Sequence, residues 1–247
     1  MRGVELPDRP DLYTRRKPEE SWGSSHAITQ LMAAIVRFRH ETGFRRSIVI
    51  GGISRARGGR FRPHKSHQSG RDIDIRMPLT AAAEGKKHVT ANDIDWKATW
   101  QLMHAFIAAG ETEYIFLDHS LQKRIYKAAR ESGVSKEQLA AWIQWPLKKP
   151  KHQVVRHVKG HKVHFHVRVR CADPNPAIGG VRTEPVDLPV TTLAEPGLAS
   201  TAFARRSAFS ARSRRTSAMR LGRALTAATN CRSSSRILMP PPHWPAA

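Results

Sequence analysis

Two histidines and two aspartates fall within the twelve residues HKSHQSGRDIDI, positions 64–75. Imidazole nitrogens and carboxylate oxygens are ligands that zinc takes, and a catalytic zinc needs three of them with a fourth position open to water. His67 and Asp74 are separated by six residues, and Gly70 between them lets the chain turn back. Asp72 lies two residues before Asp74, so the two carboxylates share one face of any strand built on DIDI. Spacing alone leaves both in play. The third ligand must come from elsewhere, and GHKVHFHVRV, positions 160–169, is the candidate. On a strand, His164 and His166 face one side while Phe165 and Val167 face the other. One histidine of the pair can hold a metal while its neighbour, about 7 Å along the strand, faces substrate. His161 sits at an odd offset from both and is expected to enter from the turn that Gly160 begins. A plainer reading competes: strand histidines also cap backbone carbonyls, and loop charges are often simply solvated. No H-E-x-x-H occurs in the chain, which excludes the common helical zinc-protease arrangement.

The elements that must position these residues can be read from periodicity. Residues 26–43 place Ile28, Leu31, Met32, Ile35 and Phe38 at helical spacing, with Ser24 or Ser25 as cap and Gly43 as stop. SIVIGG and DIDIRM read as short strands. A helix over 92–110 carries Trp96, Thr99, Met103 and Phe106 on one face. EYIFL is a strand, and HSLQKRIYKAARESG a helix closed by Gly133. Ser135 and Gln138 form a capping-box pattern ahead of a helix using Leu139, Trp142 and Ile143. HKVHFHVRVRC alternates strictly. Strands and helices mix without a regular βαβ repeat, so the expected class is α+β, a small central antiparallel sheet flanked by helices.

Composition changes sharply near residue 171. All 13 lysines precede residue 172, whereas residues 201–247 hold nine arginines and no acid or lysine. The expected division is a domain over 1–171 and an Arg/Ser/Ala/Pro-rich tail over 172–247. The tail is either a basic disordered arm or, the favoured reading, an unselected segment such as a frameshift would produce. The net charge of +22 makes polyanions the expected neighbours: nucleic acid, anionic wall polymer or acidic membrane surface. No run reaches the roughly 20 apolar residues of a membrane helix, and the first residues lack the apolar core of a secretory signal. Cys171 and Cys231 allow one disulfide at most.

The segments ISRARGGRFRPHKSHQSGRDIDI and GHKVHFHVRVRC together resemble the penicillin-insensitive murein endopeptidases. These zinc peptidases are related to D-Ala-D-Ala dipeptidases and lysostaphin-type enzymes, and the resemblance covers roughly residues 3–171. It implies that His67, Asp74 and His166 are Zn2+ ligands. It further implies that His164 stands beside the metal as catalytic base or transition-state stabiliser, with His161 and His64 as further active-site histidines. The implied substrate is the peptidoglycan stem-peptide cross-link, cut between D-alanine and diaminopimelate. Arg55, Arg57, Arg60 and Lys65 can hold stem-peptide carboxylates, although solvated surface charge is their more ordinary role, and Ser54 and Ser66 can hydrogen-bond the ligands or equally cap turns. Related members carry several cysteines, of which only Cys171 has a counterpart here. Export to the periplasm or cell envelope is expected from the resemblance, with the start lying downstream of a leader.

Three alternatives stay open at this level. A carboxypeptidase or dipeptidase releasing terminal D-alanine would use the same residues. A basic nucleic-acid-binding protein would use the charge, with its histidines structural, but the diffuse +16 up to residue 170 has no interleaved aromatic stripe or recognition element, so no nucleic-acid partner is expected. A pseudoenzyme that only binds wall polymer would have lost ligands, and none of the inferred ones is missing.

Overall fold

Ser24 begins the main helix by accepting a hydrogen bond from the amide of Ala27 through its side chain. In the computed structural model, which describes residues 3–172 other than Pro63 and Lys65, that helix is α1, Ser25–Thr42. Gly43 closes it at φ 66°, and Ala27, Ile28, Leu31, Ala34, Ile35 and Phe38 form its buried face. Asp95 caps α2, Trp96–Ala108, and Asp118 caps α3, His119–Glu131, each by a side-chain oxygen on a first-turn amide. Ser135 and Gln138 make the reciprocal capping box of α4, Lys136–Trp142. Each helix therefore starts at a residue whose side chain satisfies amides the helix cannot.

The strands are β1 Val4–Glu5, β2 Thr14–Arg15, β3 Trp22–Gly23, β4 Val49–Ile50, β5 Asp72–Arg76, β6 Thr112–Leu117, β7 Val155–His157 and β8 His164–Val169. β1 and β3 pair antiparallel on their own, and the other six form one sheet in the order β2-β4-β5-β8-β6-β7. The class is α+β, as expected. The expected antiparallel sheet needs correction: β4, β5, β8 and β6 pair antiparallel, but both outer pairs, β2 with β4 and β6 with β7, are parallel. A parallel pair requires a long crossover, and α1 supplies one while α3 and α4 supply the other. β1, β2, β3 and β7, of two or three residues each, are too short to leave a periodic signal.

The two faces of the sheet differ completely. Ile73, Ile75, Phe165, Val167, Ile115 and Leu117 project to one face and join the core with Leu31, Ile35, Phe38, Leu102, Met103 and Phe106 from the helices. Asp72, Asp74, His164 and His166, also buried, project to the other. Strict alternation in DIDI and HFHV separates the two sets. The expectations for Cys231 and the tail lie outside the described residues.

Candidate metal centre

β5 and β8 lie side by side with Asp74 opposite His166, Asp72 opposite Arg168 and Arg76 opposite His164. Paired residues share a face, so the polar side of these strands brings two carboxylates and two imidazoles together. His166 Nδ1 stands 3.2 Å from Asp74 Oδ1, and its Nε2 lies 2.8 Å from Asp72 Oδ1. Phe116 on β6, opposite His166 on its other side, packs edge-on against the same ring at 5.3 Å.

His64 and His67 arrive from the loop between β4 and β5. Gly70 makes its turn at φ 70°, with its carbonyl accepting from the amide of Ser24. The Nδ1 of His67 lies 2.9 Å from the carbonyl of Ile53. A carbonyl only accepts, so Nδ1 carries a proton, and in the tautomer with that proton alone Nε2 presents a lone pair. That Nε2 faces Asp74 Oδ1 at 3.4 Å, and neither atom has a hydrogen-bond partner among the described residues. In that tautomer two buried acceptors face each other, at a cost of about 1–3 kcal/mol each. A cation held between them removes that cost, so these residues fit a metal. His64 Nδ1 is 3.7 Å from Asp74 Oδ2, and His64, His67 and Asp74 offer ligand atoms all within 4.8 Å of one another.

The choice between the two aspartates follows from their partners. Asp72 Oδ1 accepts from the Nε of Arg168 at 2.8 Å as well as from His166. Asp74 instead stands among His64, His67, His164 and His166, the Nε2 of His164 being 3.9 Å from its Oδ1. Asp72 thus orients a histidine from behind, in the way ligand imidazoles are usually supported.

His161 enters from the turn after Gly160, whose φ is 92°, and its ring lies 4.8 Å from that of His164. Asp118 holds this turn: its amide donates to the His161 carbonyl, and its Oδ2 accepts from the Gly160 amide. Neither Asp118 nor Phe61 stood out in the sequence. Phe61, fully buried, stacks on His64 at 5.1 Å and tilts against His67 at 5.8 Å. Its signal was a lone aromatic in an Arg/Gly-rich loop. The Ser54 hydroxyl donates to the Arg55 carbonyl rather than to a candidate ligand, and the Ser66 hydroxyl has no hydrogen-bond partner among the described residues. Arg55, Arg57 and Arg60 are exposed, and Lys65 lies outside the described residues.

Burial sets the electrostatics. It pushes His64 and His161 down to about 4 and His164 to about 3, so all three are neutral at pH 7. Burial opposes the charge of His166 too, but the hydrogen bond to Asp72 and the negative charges of Asp72 and Asp74 raise it to about 9. Burial likewise disfavours the two carboxylates, yet their histidine partners hold Asp72 near 2 and Asp74 well below the ordinary range.

A sequence profile of the family described as penicillin-insensitive murein endopeptidase matches residues 2–180. A penicillin-insensitive murein endopeptidase of Yersinia enterocolitica serotype O:8 / biotype 1B is 26% identical over 148 residues, covering 51% of this chain and 46% of the relative. The match thus spans less than half of that relative's length. The profile, by contrast, takes in most of the chain and both histidine blocks: the chain belongs to the penicillin-insensitive murein endopeptidase family.

Proposed function

We propose that the protein is a zinc metallopeptidase of the cell envelope that hydrolyses the D-alanyl–diaminopimelate cross-links of peptidoglycan. His67, Asp74 and His166 are the proposed ligands, with His64 beside them, and residues 1–171 are the catalytic domain. The observation that carries this reading is the pair of buried acceptors, His67 Nε2 and Asp74 Oδ1, 3.4 Å apart without a hydrogen bond. When bound, zinc supplies Lewis acidity, making water a nucleophile near neutral pH and polarising the scissile carbonyl.

The chain's own residues handle the protons and the charge. His164, neutral through burial, has one N–H and one lone pair. Its N–H can donate to the oxyanion that develops at the scissile carbon, or a proton held there can pass to the leaving amine. His161, ring to ring with His164, positions that imidazole from the Asp118-clamped turn. Hydrolysis leaves the hydroxyl on the D-alanyl carbonyl and the proton on the diaminopimelate nitrogen.

Digestion of a cross-linked muropeptide dimer with zinc supplied, read by mass spectrometry, tests the reading. Conversion to monomers by wild type and not by His67→Ala is expected. Release of a terminal D-alanine alone would assign the carboxypeptidase activity instead. A zinc-loaded protein that cleaves nothing would overturn the reading.

A further inference from the structure

The face that carries Asp74, His164 and His166 continues to an arginine that the centre does not use. Arg76 ends β5 two residues beyond Asp74, so it shares that face, and it stands directly opposite His164. Cross-strand partners hold their Cβ atoms about 5 Å apart. Arg168, the other arginine of these two strands on this face, is neutralised by Asp72. Arg76 has no such partner: among the described residues no carboxylate forms an ion pair with it.

Its surroundings make that more costly. Arg76 is partly buried, and burying a charge without a partner is costly. Beside Arg76 lies a cavity of about 360 Å³, lined also by Ser47, Val49, Leu79 and Glu84. Glu84 is exposed and forms no ion pair with Arg76 among the described residues. A partly buried guanidinium without a carboxylate partner is stabilised by an anion entering the cavity, and its planar fork matches a carboxylate.

We propose that Arg76 and the adjoining cavity form a carboxylate subsite that holds the carboxylate on the carbon attached to the scissile nitrogen. This rests on the peptidase reading above. His164, the group placed to deliver a proton to that nitrogen, is Arg76's partner across the strands. In a diaminopimelate cross-link, the carbon next to the scissile nitrogen bears a free carboxylate. An arginine adjacent to the proton donor therefore meets the one anion that lies beside the leaving amine. Arg76 is then a binding residue that selects cross-links whose carboxylate is free over those in which it is amidated.

The test uses the full chain and two probes, a cross-linked muropeptide dimer with that carboxylate free and the same dimer with it amidated. Titration calorimetry on metal-free protein measures binding without turnover. Wild type is expected to bind the free acid roughly tenfold or more tighter than the amide. Arg76→Gln binds both alike, at the level of the amide, and Arg76→Lys, which keeps the charge without the fork, lies between. With zinc, the Arg76→Gln defect on the free acid falls on KM rather than kcat, and the amidated dimer shows no such defect. Equal binding of the two dimers by wild type, or discrimination surviving in Arg76→Gln, overturns the subsite even if that variant is less stable. No binding of either dimer overturns it as well. Arg76-dependent preference without cleavage would leave the subsite standing and remove the endopeptidase reading, whereas cleavage without preference would do the reverse.

Discussion

Asp74 Oδ1 lies 3.2 Å from His166 Nδ1 across two strands in direct register, and 3.4 Å from His67 Nε2 arriving from a separate loop. One carboxylate oxygen is thus addressed by imidazoles whose positions in the chain differ by 99 residues. The arrangement depends on strand register. A slip of one residue between β5 and β8 would turn His166 to the hydrophobic face and leave Asp74 buried opposite an apolar side chain.

Loss of either member of the facing pair should abolish the metal site. Wild type is expected to purify with one zinc per chain, and Asp74→Ala and His67→Ala with well under one. Elemental analysis after dialysis against a weak chelator decides this. Full zinc occupancy in Asp74→Ala would remove that residue from the ligand set.

Asp72 should matter without touching metal. Its loss leaves the Nε2 of His166 and the guanidinium of Arg168 without their buried acceptor. Asp72→Ala is expected to weaken zinc binding by about 10–100-fold. Removing one partner of a buried ionic network should also lower the stability of metal-free protein by about 3–5 kcal/mol. Asp72→Asn, which keeps an acceptor oxygen in place, should recover part of both. Competition titration with a chromophoric chelator and urea unfolding provide the two readouts.

Metal-free protein should be most stable near pH 7. Below that value the unfolded chain takes protons on His64, His161 and His164 that the native state refuses down to about 4, 4 and 3, so stability falls with acid. Above it the native state keeps the His166 proton to about 9 while the unfolded chain gives it up, so stability falls again. Asp72, held near 2, contributes above the ordinary carboxylate range and loses that contribution only in stronger acid. Melting temperatures of chelated protein between pH 4 and 10 should trace this peak. A flat profile from pH 5 to 8.5 would contradict the burial of these rings.

Gly70 should tolerate no side chain. Its φ of 70° is left-handed, and a Cβ there would come within 2.8 Å of Gly23 Cα and the Ser24 amide nitrogen, both backbone atoms. Gly70→Ala is expected to cost more than about 1 kcal/mol and to weaken zinc binding, because the loop carrying His67 must move. Thermal melts with and without zinc separate the two effects, and a variant matching wild type in both would show that the turn can relax.

A chain ending at residue 172 should retain zinc binding and muropeptide cleavage, since every residue proposed for the centre precedes it. Comparison of kcat/KM with the full chain measures this. A large loss would place a needed contribution in residues 173–247.

The sequence by itself determined the local pieces. Alternation in DIDI and HFHV placed Asp72 with Asp74 and His164 with His166, because successive strand residues point to opposite faces whatever surrounds them. Ser24, Gly43, Ser135 and Gln138 marked helix ends for the same kind of reason, since caps act within one turn. Two long crossovers set the outer strands parallel, and strands as short as β2 and β7 exist only through their neighbours. The separation of Asp74 from Asp72 was invisible until Arg168 and His166 were seen to engage Asp72, since hydrogen bonds between residues 94 and 96 apart have no local signature. Asp118 and Phe61 join the centre in the same way, one through a turn 42 residues on, the other by stacking on a loop histidine. Residue types and their period are properties of a segment, whereas partners, tautomers and the direction of strand pairing belong to the closed fold, where burial and register select among alternatives that a segment leaves equal.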